Sequence, residues 1–206
     1  EVSFVDSSEI TCFRFRNTRF DGFDFGTHKE ILAANGWRLH DRTTDATLAE
    51  LENLYLRAKN GANGVGETRA AAEFFTHEMR YRRLGYRQQL MNAENVSDAM
   101  TAGWDWLGNI MLDVTCGYGE RPFRPVVFSV GVIGVFALLF SVIQPDIAYQ
   151  KPVGYLIFSI EAFVSLILGL PQSAETVVNL LIVVEAFFGG FIIALLVFTL
   201  TRSVSR

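Results

Sequence analysis

Two glutamates sit where the chain carries almost no other charge. Glu161 interrupts the apolar run 155–170, and Glu185 interrupts the apolar run 176–201. An ionisable group at the centre of a membrane-length helix costs about 2.5–3.5 kcal/mol on insertion scales, so each carboxyl is a functional candidate by default. Glu161 can sit against neighbouring backbone and hydrogen-bond it. Glu185 can share a proton with Glu161, accept from Asn179 or Ser165, or face water. The plainer alternative for both is a protonated, hydrogen-bonded carboxyl that ties one helix to the next. Other chemistry has little to work with. The three histidines have no ligand spacing, and there is no Ser/His/Asp set and no nucleotide-binding loop. No enzyme activity, cofactor or metal is therefore expected. Cys12 and Cys116 lack a CxxC spacing or a nearby histidine pair and read as free thiols in a reducing compartment.

The elements that must position these carboxyls follow from the charge pattern. Half of the residues are hydrophobic and 19% are charged, but the charges concentrate at and before Arg124, which divides the chain into a soluble front and a membrane-embedded back. The net charge of −4 is for that reason a poor guide to partners. Residues 125–143 hold no charge over 19 positions, close to the ~20 a helix needs to cross hydrocarbon. Residues 176–201 span 26 positions with one charge, Glu185. Between them, 155–170 is bracketed by Pro152 and Pro171 and is short for a crossing, so a re-entrant helix is predicted. Arg121 and Arg124 flank the first span on one side; Arg202 and Arg206 flank the second. The positive-inside bias places both termini in the cytoplasm and residues 145–153 outside. No apolar run of spanning length precedes Pro125, so no signal peptide is expected.

The run from Tyr155 to Gly169 resembles the pore helix and filter of the two-span tetrameric channel family, and the following span resembles that family's inner helix. The resemblance implies a filter or constriction at Ser165, Leu166, Ile167, Leu168 and Gly169, supported by Glu161 and Glu185. Gly189 and Gly190 would be a gating hinge, or else small residues that allow close helix packing. One departure matters. With Ser165 in the place of the filter threonine, Ile167 falls where a potassium filter needs glycine, and a β-branched residue is a poor substitute in left-handed backbone. A potassium-type carbonyl ladder is therefore not expected. The stretch Thr115-Cys116-Gly117-Tyr118-Gly119-Glu120 also resembles a potassium filter. It has no span before it, however, and reads as the tight turn that ends an interfacial segment (98–120, amphipathic helix and turn) ahead of the first span.

In the soluble front, Val5, Ile10, Phe15, Phe20 and Phe25 recur every five residues, with Ser3, Ser8, Phe13, Thr18 and Phe23 two positions earlier. This resembles the pentapeptide-repeat family, which implies a right-handed quadrilateral β-helix over 1–26; an irregular Phe-rich strand pair is the alternative. So short a solenoid cannot bury its core alone, so further coils upstream of Glu1 or a neighbour to dock on are expected. A connector (27–45) follows, with Trp37 and Leu39 capping the coil. A helical hairpin (46–92) opens on the capping box Thr47-x-x-Glu50, with a turn beginning at Asn60-Gly61. Its arginines 80, 82, 83 and 87 form either a lipid or partner surface or a solvated face.

The fold predicted is a membrane α-helical pore domain (125–201) behind a cytoplasmic β-helix fragment and αα-hairpin. The chain as a whole resembles a pentapeptide-repeat-containing ion-channel protein of prokaryotes. That implies a homo-oligomer, a tetramer, in the plasma membrane. Its partners would be the bilayer, a permeating ion left open and a cytoplasmic protein on the β-helix, with no nucleic acid. The alternative is a membrane-anchored interaction scaffold with a degenerate pore.

Overall fold

A computed structural model describes residues 20–40, 46–143, 153–169 and 175–204. Seven α-helices account for most of these: α1 Lys29–Ala34, α2 Leu48–Gly64, α3 Thr68–Met91, α4 Val96–Cys116, α5 Phe123–Ile143, α6 Val153–Leu168 and α7 Thr176–Val204. The chain divides inside α4 into two compact units, Glu1–Met111 and Leu112–Ser205.

The first unit is built on the α2–α3 hairpin. Thr47 caps α2: its Oγ1 accepts from the Glu50 N–H, and the Glu50 carboxylate accepts from the Thr47 N–H. The pair satisfies two backbone donors that a helix start leaves orphaned. Leu54, Tyr55, Ala58 and Ala62 recur at helical spacing and are buried against Ala70, Ala71 and Phe74 of α3. A polar seam runs beside this core. Glu78 is only 2% exposed and is held by Lys59 Nζ and by Arg82 Nη2, each at 2.8 Å, while Arg82 Nε reaches Glu52 at 2.8 Å. Arg82 is thus committed inside the hairpin rather than to a basic surface. Leu84, further along α3, is exposed.

The β-helix is corrected. The described residues contain no strand, and their fold is all-α. Residues 20–26, the described part of the stretch assigned to the coil, form turns, with the Phe23 N–H donating to the Phe20 carbonyl at 3.2 Å. Residues 1–19 lie outside the described residues. The spacing of Phe20 and Phe25 has a different physical use. Their rings lie 5.7 Å apart and enter an aromatic cluster on the hairpin, with Phe25 4.9 Å from Phe74. Trp37 and Leu39 cap no coil. Both are buried in the same cluster, and Trp37 meets Phe74 edge-on at 5.7 Å.

Gly61 is another difference. It does not end α2, which continues to Gly64. A Cβ at position 61 would lie 2.6 Å from both the Cβ and the carbonyl oxygen of Phe20, so glycine here permits close approach rather than a turn.

In the second unit, α5, α6 and α7 pack together around Phe136, Ala137 and Phe140 of α5, Tyr155, Phe158 and Ala162 of α6, and Val178 and Ile182 of α7. The helices α5 and α7 are long and apolar enough to cross a membrane, whereas α6, with 16 residues, is not. At 1.5 Å per residue, α6 is ~24 Å long against ~30 Å of hydrocarbon. The α4–α5 connection is a buried left-handed turn: Gly117, Tyr118 and Gly119 have φ of 56°, 58° and 82°. Arg124 braces it, donating from Nη1 to the Asp113 carboxylate at 2.5 Å and to the Asp113 backbone carbonyl.

Gly61→Ala should lower the unfolding temperature of the chain, because overpacking costs typically 1–3 kcal/mol and exceeds the ~0.5–1 kcal/mol alanine gains in helix preference. Gly64→Ala, whose Cβ would meet open space, should leave it unchanged or raise it. Equal shifts would refute the close-approach role.

Candidate functional site

A polar contact joins the helices of the second unit. Along α7, Val178, Ile182, Glu185, Ala186 and Ile192 are buried on one stripe, with Gly189 on the same stripe. Along α6, Tyr155, Phe158, Ser159, Ala162 and Phe163 form the matching face. These stripes bring the Ser159 hydroxyl against Glu185 Oε1, both side chains being fully buried. The same hydroxyl lies 2.9 Å from the Ile133 backbone carbonyl of α5. One side chain therefore joins all three helices. A serine hydroxyl has one proton. It can serve the Ile133 carbonyl and keep a hydrogen bond to Glu185 at the same moment only if the carboxyl brings a proton of its own. Glu185 Oε2 has no hydrogen-bond partner among the described residues.

Glu185 is thus bonded to neither Glu161, Asn179 nor Ser165. Ser159, which the sequence reading passed over, is its partner. Glu161 is on the exposed face of α6. The Asn179 N–H donates to the Glu175 carbonyl in the first turn of α7. The Ser165 hydroxyl turns back onto the Ala162 carbonyl at 2.6 Å.

Residues Ser165, Leu166, Ile167 and Leu168 form the last turn of α6, and Gly169 follows with φ of 101°. The Gly169 N–H donates to the Ser165 carbonyl at 2.7 Å, so that carbonyl is used within the helix end. Leu166, Ile167 and Leu168 are 66–78% exposed and present apolar side chains, not a row of carbonyls. Gly189 and Gly190 both face α6. A Cβ at Gly189 would overlap the Phe163 carbonyl, and one at Gly190 would come within 3.0 Å of the Leu166 side chain. The first glycine lets α7 approach the α6 backbone at the level of Phe163, one turn beyond Glu185.

No cluster of His, Cys, Asp or Glu suited to a metal occurs among the described residues. The chain matches no protein-family model, no curated protein and no solved structure.

A signal for Ser159 did exist. It falls at i+4 from Tyr155, on the same helical face as Phe158, Ala162 and Phe163, while Ser165 belongs to the helix end. Ser159→Ala should destabilise the second unit by about 1–3 kcal/mol, because it leaves the buried Glu185 carboxyl without its partner. The double variant Ser159→Ala/Glu185→Met should recover most of that loss, since both polar partners are then gone. Thermal unfolding of the detergent-solubilised protein measures this. A double variant no more stable than Ser159→Ala would contradict the pairing.

Proposed function

We propose that the chain is one subunit of an oligomeric membrane channel whose permeation path is formed by α6 and α7 of several copies. The observation that carries this reading is a helix too short to cross, α6, held between two helices of crossing length. Its apolar end at 166–168 is exposed and its polar Ser159–Glu185 tie is internal. Only 17% of the apolar window of α5 and 28% of that of α7 is buried within the chain. A soluble protein would bury its most apolar helices, so these faces call for lipid or further copies. On α4, Met100, Trp104, Leu107, Met111 and Val114 are exposed at helical spacing, in keeping with a helix lying in the membrane interface. Two spans and one short helix cannot enclose a pore, so several copies meet around an axis, with four favoured by the resemblance of the pore segment to tetrameric channels. The basic residues beside the spans favour cytoplasmic termini and a cell-membrane location.

The constriction in this reading is apolar. Residues 165–168 are helical, so ions pass by width and wetting, with poor discrimination between potassium and sodium. The same exposed Leu166, Ile167 and Leu168 favour a second reading, a membrane-anchored scaffold whose pore stays dry.

Mass measurement of the detergent complex and recording in planar bilayers test both. The channel reading predicts an oligomer, unitary currents, and bi-ionic reversal potentials with little potassium preference. Ile167→Ser should raise conductance by easing wetting. A monomer would overturn the channel. An oligomer without current in both native and Ile167→Ser forms would favour the scaffold, and strong potassium selectivity, on the order of a hundredfold, would refute the apolar constriction.

A further inference from the structure

The second unit carries a groove that the channel reading does not use. It lies where the end of α4 meets the start of α5, has a volume of about 630 Å³ and opens to the surface. Asp113 and Arg124 are its charged residues, and the rest of its lining is apolar or bare backbone, from Val114 and Phe123 to Val127, Phe128 and Gly131. Arg124, Val127, Phe128 and Gly131 fall at i, i+3, i+4 and i+7, so one face of α5 runs from a charged head to a glycine. At 1.5 Å per residue this track is roughly 10 Å long.

The walls are fixed and the floor is open. The left-handed turn at Gly117, Tyr118 and Gly119 sets the end of α4 against α5, and Arg124 ties the two by its contact with Asp113. A Cβ at Gly131 would meet nothing within 4 Å. Phe123 is 82% and Val127 72% exposed, so the helices of the chain leave this face uncovered. The mouth is polar, with both signs of charge. Arg124 uses Nη1 on the Asp113 carboxylate and backbone carbonyl, and its side chain stays partly exposed. A guanidinium is a fork of N–H donors that suits phosphate, so its outer edge can hold a phosphate oxygen without giving up Asp113. The Asp113 side chain is also partly exposed. A carboxylate accepts at several positions, so a primary ammonium can join Arg124 on it.

We propose that this groove binds a zwitterionic aminophospholipid, phosphatidylethanolamine, with its phosphate on Arg124, its ammonium on Asp113 and one acyl chain along Val127, Phe128 and Gly131. A cation and an anion side by side match a headgroup that carries one of each. A choline headgroup has no N–H to donate to Asp113, and an anionic headgroup without an amine sets like charge beside that carboxylate. The apolar track begins where α5 loses its last charge, at Arg124, which is the depth at which a lipid headgroup gives way to its chain. The inference rests on the membrane embedding proposed for α5, and not on conduction.

Titration of the detergent-solubilised chain with phosphatidylethanolamine, phosphatidylcholine and phosphatidylglycerol, read by native mass spectrometry, tests it. Phosphatidylethanolamine should bind at least about tenfold more tightly than phosphatidylcholine, as expected for one hydrogen bond between charged groups, and more tightly than phosphatidylglycerol. Asp113→Asn should abolish the preference over phosphatidylcholine. Gly131→Leu fills the floor of the groove and should weaken both lipids by about tenfold. Its thermal unfolding temperature in lipid-free detergent should be no lower than that of the native chain, because the new side chain starts in open space. Equal affinity of the native chain for phosphatidylethanolamine and phosphatidylcholine would overturn the proposal, as would native lipid affinity in Gly131→Leu. A smaller complex in Gly131→Leu would also overturn it, by seating a second copy of the chain in the groove. A chain that stays monodisperse without detergent and retains none of the three lipids would overturn the membrane embedding itself.

Discussion

The second unit depends on one buried hydrogen bond between Ser159 on α6 and Glu185 on α7, with the same serine hydroxyl also reaching the Ile133 carbonyl on α5. Removing a carboxyl from water is costly, and nothing cationic lies in α5 beyond Arg124 at its start, in α6 or in α7 before Arg202 to offset it. The contact is therefore binding on the helices around it. If α6 slides or rotates, Glu185 loses its partner while still buried, so the tie fixes the register of α6 as well as its proximity. A purely apolar interface would tolerate many registers at nearly equal energy.

The surrounding side chains are chosen for that geometry. Ala162 and Gly189 are small where α6 and α7 meet, and a Cβ at Gly189 would overlap the Phe163 carbonyl. Larger Phe136, Phe140 and Phe158 fill the space toward α5, with Phe140 and Phe158 edge-on at 4.9 Å. Close approach in an apolar environment relies on such packing and on interhelical hydrogen bonds rather than on expulsion of water. The outer faces remain apolar and uncovered, and in the proposed channel they meet lipid and other copies of the chain.

What the sequence makes legible is what residues near in the chain decide. Thr47 and Glu50 are three residues apart and form their capping box. The uncharged run 125–143 falls within α5, and the run 176–201 within α7. Gly117-Tyr118-Gly119 is a turn because two glycines flank one strained residue, with Arg124 bracing it from the next helix. What was misread depends on residues far apart. Asn179 and Ser165 stand as partners for Glu185 in the sequence, and Ser159 takes that place only once the facing stripes of α6 and α7 are known. Gly61 looks like a helix stop until Phe20 is seen resting on it. The five-residue spacing of Phe20 and Phe25 suggests a solenoid. Yet a period describes repeated geometry only if repeats have one another to stack on, and these two rings find Phe74 instead.

The most direct test is the exchange of α6 amides with the protein in lipid nanodiscs, compared between the native chain and Glu185→Ala. If the Ser159–Glu185 bond holds α6 between its neighbours, exchange across 153–168 should quicken markedly in the variant while the α2–α3 hairpin is unchanged. Exchange in α6 that is the same in both proteins would contradict the account.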